Sequence, residues 1–239
     1  MTRGSGQTAA SAEQNKEFFA RETYGQHTAT LDGYRNIRSA ITGEVSGTDT
    51  LLDIGNGGVF EYDTSTVASI VAVDLFLGDL PESQFPSNVT ARTGDALALT
   101  EPENRYDAAL HAFVYHHLVG DRPDDMVVNA RRAVAEAERV IKPGGRLIVA
   151  ESCVPRWFYR FERLAYRPLK LLARTPLLGG HPATFQLTHQ MLLDVIAERF
   201  EIERDYRIPL GRWITQFGRR WPTALTPVRA YMVVAVKAS

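Results

Sequence analysis

One cysteine, Cys153, is all that this chain of 239 residues contains, so an intramolecular disulfide is excluded and a cysteine-rich zinc site lacks its ligands. The histidines and carboxylates show no metal-ligand spacing either, and no metal is expected. No run of about 18 consecutive apolar residues is present, which excludes a membrane-spanning helix. Residues 1–14 carry one early cation, Arg3, and no apolar core, so they do not read as a secretory signal, and a reducing cytoplasm is the expected location. Charge excess is missing as well: 27 basic against 28 acidic residues leave a formal net charge of -1, so no nucleic acid partner is expected. Lysine is scarce, four against 23 arginines, a bias that suggests a GC-rich, bacterial genome. There is no internal repeat and no low-complexity tract.

What is present supports one well-cored domain with insertions, since 44% of the chain is hydrophobic. Its organising stretch runs Leu51-Leu52-Asp53-Ile54-Gly55-Asn56-Gly57-Gly58, then Ser69-Ile70-Val71-Ala72-Val73-Asp74. An apolar run stops in glycines, and a second apolar run ends on an acid. Glycines after a strand let the backbone approach a ligand, and an acid closing the next strand can accept ribose hydroxyls. The dinucleotide fingerprint G-x-G-x-x-G would need glycine at position 60, which is Phe60, and this disfavours a nicotinamide oxidoreductase. The pattern that does fit is D-x-G-x-G.

Helical spacing is read over 12–22 and 31–43, then strands at 50–54 and 69–74 with a short helix between them capped by Asp63. An irregular helical segment is expected over 75–84, a strand at 88–92 and another at 108–113. A long helix over 122–141 is stopped by Lys142-Pro143-Gly144-Gly145, and a strand follows at 146–151. The carboxy end reads as a helix at 188–199 and strands at 200–206 and 230–236. Strands alternating with helices imply right-handed crossovers and a parallel sheet, an α/β fold.

Asp53, Gly55 and Gly57, the run Y-D-A-A-L-H-A-F-V-Y-H-H-L from Tyr106, and I-K-P-G-G-R-L-I-V-A-E from Ile141 together resemble the class I S-adenosylmethionine (SAM) dependent methyltransferases of the small-molecule type. Val59 stands where that family often has a third glycine. The resemblance implies a Rossmann-like doubly wound sheet of about seven strands with the last strand antiparallel. It also implies a helical N-terminal cap over 1–48 and a SAM-binding domain over 49–239. Carried over residue by residue, Asp53, Gly55 and Asn56 would hold the methionine end of SAM, Asp74 the ribose and Asp95 the adenine. Gly57, Leu75 and Ala96 would be further contacts. His111, at the end of the fourth strand, is a candidate general base or cofactor contact. His116 and His117 are the other catalytic candidates, at least one of them with a structural role. Tyr24 would belong to a lid over the cofactor.

Two stretches exceed what a minimal fold needs: a helical insertion after strand five, 152–187, and a second at 207–228. In the first, Arg156, Arg160, Arg163, Arg167, Lys170 and Arg174 draw one basic stripe on a helix that Pro168 interrupts, with Trp157, Phe158, Phe161 and Leu164 on other faces. Three uses fit: a substrate lid packed by its apolar face, peripheral membrane contact through 156–174, or binding of an anionic substrate. Trp157, Tyr159, His181 and Trp213 are the candidate acceptor contacts, with His189 beside them. The expected function is methyl transfer to O, N or C of a small apolar or amphipathic acceptor, such as a specialised metabolite, a lipid or a quinone-like molecule. A SAM-binding module without catalysis and an RNA methyltransferase are the alternatives.

Overall fold

The computed structural model describes residues 32–77, 85–173, 184–216 and 219–239. Apart from the two edge strands, which are polar, its strands form where apolar residues run almost without interruption, as expected of strands covered on both faces. These are β1 (Thr50–Ile54), β2 (Ser69–Asp74), β3 (Val89–Thr93), β4 (Tyr106–Ala112), β5 (Ile141–Cys153), β6 (Glu201–Ile208) and β9 (Arg229–Val236). They make one sheet in the order β3-β2-β1-β4-β5-β9-β6, in which β9 runs antiparallel to both neighbours and the five strands before it in that order are parallel. Direction reverses in strand order between β1 and β4, and ligands of such sheets bind at the carboxyl ends beside that point.

Pleating sends alternate side chains to opposite layers. Leu51, Leu110, Ile148 and Val234 bury against Ile37, Ile41 and Val45 of helix α1 (Asp32–Val45). Leu52, Ala109, Val149 and Val233 bury against helix α2 (Asp125–Val140), through Ala130, Ala133 and Ala137, and against α5 (His189–Ala197), through Leu192 and Ile196. Helix α1 thus packs as a layer on the sheet, while residues 1–31 of the expected 1–48 cap, including Tyr24, lie outside the described residues. Between β1 and β2 the chain makes only a 3-10 turn at Thr64–Thr66, and Asp63 caps it by accepting from the Ser65 N–H at 3.1 Å. Thr188 caps α5 in the same way, accepting from Met191 N at 3.2 Å.

Two expectations are corrected. The insertion after β5 is helical, α3 (Arg156–Leu164) and α4 (Tyr166–Ala173), but its break falls at Ala165 instead of Pro168. Pro168 sits in the first turn of α4, where its missing N–H costs no helical hydrogen bond. The second insertion folds as a hairpin, β7 (Trp213–Gln216) against β8 (Arg219–Pro222). Strand five starts at Ile141, before the glycines, because Tyr106 already pairs with Ile141 across a bulge.

Ile148 is fully buried between Leu110 of β4 and Val234 of β9. Ile148→Ala should therefore lower unfolding stability by about 2–5 kcal/mol, read as a lower urea midpoint at unchanged slope.

Candidate functional site

Strand β1 delivers Asp53 and then Gly55, whose φ of +80° belongs to the left-handed region. A Cβ there would stand 2.7 Å from Val114 Cγ2, so glycine lets the loop after β1 close against the loop after β4. Asp53 is 1% exposed, and its Oδ2 accepts from Asn56 Nδ2 at 2.7 Å and from the Tyr62 hydroxyl at 3.0 Å. Its Oδ1 is buried with no hydrogen-bond partner. Burial pushes the Asp53 carboxyl up to about 7, against the opposing pull of those two hydrogen bonds.

Asp74, closing β2, accepts from Gly57 N at 2.8 Å and from Phe76 N at 2.7 Å. It thereby fixes the glycine loop from the neighbouring strand. Burial raises its pKa while these backbone hydrogen bonds oppose the rise. Each of its oxygens keeps a second lone pair for a ligand hydroxyl. Beyond β3, Gly94 N donates to Asp74 O at 2.9 Å, and Asp95 Oδ1 accepts from Leu97 N at 2.9 Å. Asp95 therefore caps its own turn, and it stands next to Ala96 beside the Asp74–Leu75 end of β2. The structure brings Asp53, Gly55, Asn56, Gly57, Asp74, Leu75, Asp95 and Ala96 to one edge of the sheet.

His111, the candidate general base or cofactor contact, lies in the core. It is fully buried, its Nδ1 lies 2.7 Å from the Tyr115 hydroxyl, and its Nε2 is buried with no hydrogen-bond partner. Burial pushes its pKa down to about 4, which leaves a neutral imidazole in the core beneath the loop. His116 is partly accessible, its side chain 14% exposed, and its Nδ1 lies 2.8 Å from Glu151 Oε1. Glu151 is 1% exposed and accepts from Tyr115 N at 2.7 Å and Ser152 N at 2.6 Å as well. The His117 ring is 4.1 Å from that of His116, tilted by 42°. Phe113 carries a φ of 59°, a left-handed conformation that a side chain disfavours by about 1–2 kcal/mol, and its N–H donates to Ala150 O at 2.7 Å. That turn sets Tyr115 and His116 over the end of β5.

Helix α3 closes above this group. Phe185 packs against Tyr159 and Tyr166, with ring centroids 5.3 and 5.5 Å away, and its N–H donates to His116 O at 3.2 Å. Tyr159, expected at the acceptor, is instead a buried packing residue. Glu162 accepts a hydrogen bond from the Gln186 backbone, and burial pushes its carboxyl up to about 7. The Gln186 side-chain amide reaches Ser152 Oγ at 3.4 Å, and Ser152 Oγ donates to Glu151 Oε1 at 3.2 Å. A polar chain thus links His116 to Glu162. A cavity of about 510 Å³ lies beyond β5, walled by Cys153, Trp157, His189, Leu225, Arg229 and Tyr231. None of the glycine-loop residues borders it, nor does Trp213; His181 lies outside the described residues.

Sequence reasoning missed Glu151, Tyr62, Tyr115 and Glu162 as site residues. Glu151 had a signal, because it is an acid at the end of the apolar run 147–150, as Asp74 is after 70–73; the other three acquire meaning only from contacts.

Asp53 gives a test of the site in the ligand-free protein. Its carboxyl has an ordinary value of 3.8 and a folded value of about 7, so the stability of the neutral form is full below pH 4 and is lost as pH rises through 7. Asp53→Asn should flatten this loss and leave the protein more stable at pH 7.5, by up to about 4 kcal/mol, in thermal or urea unfolding.

Comparison with known proteins agrees with this geometry. A family model described as a methyltransferase domain matches residues 52–149. A demethylmenaquinone methyltransferase of Symbiobacterium thermophilum is 27% identical over 176 residues, covering 64% of this chain and 66% of that protein. Two further demethylmenaquinone methyltransferases are matched over about half their length. Among solved structures, the N-methyltransferase NodS of Bradyrhizobium japonicum in complex with S-adenosylhomocysteine superposes with a TM-score of 0.61, at 13% identity, over 96% of this chain and 100% of that one. Geranyl diphosphate C-methyltransferase of Streptomyces coelicolor gives 0.61 at 12% identity, over 97% and 100% of the two chains. Residues 52–149 thus match the methyltransferase-domain family, and with its seven-strand order and its glycine loop flanked by Asp53 and Asp74 the chain has the fold of the class I SAM-dependent methyltransferases.

Proposed function

We propose that this chain transfers the methyl group of SAM to an oxygen, nitrogen or carbon nucleophile of a small amphipathic, quinone-like acceptor. The observation that carries the cofactor assignment is the unpartnered Oδ1 of Asp53, a buried carboxylate oxygen beside the glycine loop that suits an ammonium group. Asp53 and Gly55 hold the methionine end, with Asn56 and Gly57 shaping the loop. Asp74, next to Leu75, would hold the ribose hydroxyls on its free lone pairs, and Ala96 and Asp95 would hold the adenine. When bound, SAM supplies an electrophilic methyl on a cationic sulfonium.

The protein's own share is alignment and one proton. His116 is the base, since it is the histidine that both reaches the surface and is held by a buried carboxylate; it takes the proton that the acceptor loses. Glu151 orients its ring and balances the imidazolium that forms. His111 supports the loop through Tyr115. The quinone-like class is favoured by the names of the sequence relatives. The peripheral membrane contact expected for 156–174 is in keeping with such acceptors.

Titration calorimetry with S-adenosylhomocysteine, and NAD as control, tests the cofactor site. Micromolar binding of the sulfur ligand alone is expected, with a loss of about 100-fold or more in Asp74→Ala; binding of NAD instead would overturn the assignment. Below pH 7 Asp53 is protonated in the free protein, so pairing it with the ligand's ammonium expels a proton. Affinity should fall as pH drops from 7 to 5.5, by up to about tenfold per unit, and Asp53→Asn should abolish that slope.

Turnover with a panel of quinols tests the base. His116→Ala and Glu151→Gln should each lower kcat by about 100-fold while leaving S-adenosylhomocysteine affinity intact. Affinity without turnover on any acceptor would favour the non-catalytic reading.

A further inference from the structure

Helices α3 and α4 turn an unexpected side to solvent. Their inward side is aromatic and polar, with Tyr159 and Tyr166 buried on Phe185 and Glu162 beneath. Outward stand Trp157, Phe161 and Leu164, which are 66%, 55% and 89% exposed, followed on α4 by Leu171 at 67%. On α3 the three recur at steps of four and three, which draws one apolar stripe along the helix. Arg156, Arg160 and Arg163 recur at the same steps one residue earlier, all exposed, and Arg167 follows on α4. Arg163 also meets Asp124 at 3.1 Å. Leu225, 74% exposed, borders the same cavity as Trp157, so the apolar surface continues across the cavity mouth. Single exposed apolar residues are ordinary, but a contiguous row of large ones marks an interaction face.

What covers this row is constrained by its chemistry. A second copy of the chain would bring two arginine rows of like charge together. A nucleic acid would use the guanidinium groups and the rings, but it would gain nothing from Leu164 and Leu171, the most exposed members of the row on the two helices. An anionic bilayer uses both halves, because Trp, Phe and Leu enter the acyl boundary while arginines meet lipid phosphates beside them. We propose that the outer face of α3 and α4, together with Leu225, docks this protein on an anionic lipid surface, with the mouth of the 510 Å³ cavity turned toward the lipid. No described helix is long and apolar enough to cross a membrane, so the contact is peripheral.

The test is cosedimentation of the full chain with vesicles of equal parts phosphatidylglycerol and phosphatidylcholine, and with vesicles of phosphatidylcholine alone. No cofactor or acceptor is needed, so the outcome does not depend on the methyl-transfer reading. The protein is expected to pellet with the anionic vesicles, to bind neutral ones about tenfold less, and to be released by high salt. Leu164→Glu and Arg160→Glu should each weaken anionic-vesicle binding by about tenfold or more. Unchanged circular dichroism in each variant separates a lost surface from a lost fold. The proposal is overturned if the wild-type protein stays in the supernatant, or if both folded variants pellet like wild type. It is equally overturned if sedimentation equilibrium finds a dimer that Leu164→Glu dissociates, or if an RNA oligonucleotide competes the protein off the vesicles.

Discussion

Burying carboxylates is the constraint around which this sheet edge is arranged. Asp53, Asp74 and Glu151 lie at or near the carboxyl ends of three apolar strands, and a carboxylate withdrawn from water has to be neutralised or hydrogen-bonded. The three solutions differ. Asp74 and Glu151 are occupied by backbone N–H groups, which makes them fixtures that pin the glycine loop and the loop after β4. Asp53 is left one partner short, and burial raises its pKa against the pull of its two hydrogen bonds. A site that is unsatisfied in the free protein is one that a cationic ligand completes, so ligand affinity and free-protein stability oppose each other at this residue.

Much of the fold was legible because it rests on periodicity. Five apolar runs separated by helical spacing dictate a parallel sheet, and Lys142-Pro143-Gly144-Gly145 marks the end of α2 whatever the tertiary context. Asp63 could be read as a cap from its type and position alone. The position of the break in the α3–α4 segment could not. Pro168 advertises a helix end, yet a proline in the first turn of a new helix is harmless, and the chain breaks three residues earlier, at Ala165. The hairpin β7–β8 was hidden for a related reason: Trp213 to Pro222 reads as arginine and tryptophan without alternation, and its strands are defined by pairing with each other.

The candidate site divides along the same line. Residues whose task is backbone geometry or strand termination, Gly55, Gly57, Asp53 and Asp74, announce themselves in one dimension. Roles that come from burial do not. His111 and His116 are five residues apart and look equally apt as bases, but one lies sealed in the core beside Tyr115 and the other meets Glu151 at the surface. Tyr159 and Trp157 are separated by one residue, and the helix turns the first inward and the second out. Side-chain direction on a short helix depends on where the helix docks, and that is fixed here by Phe185, which follows in the chain.

Strand β9 sits between β5 and β6, although β6 precedes it in the chain. Strand β6 therefore has no place in the sheet until β9 has paired with β5, and an order of assembly is built into the topology. The outer half of the sheet must zip from the inside outward, with residues 229–236 as the step on which the edge depends. During synthesis β6 leaves the ribosome before β9, its only sheet partner among the described residues, exists. Its sequence, Glu201-Ile202-Glu203-Arg204-Asp205-Tyr206-Arg207-Ile208, is dense in charge, and that suits a strand which must wait in water without seeking another edge.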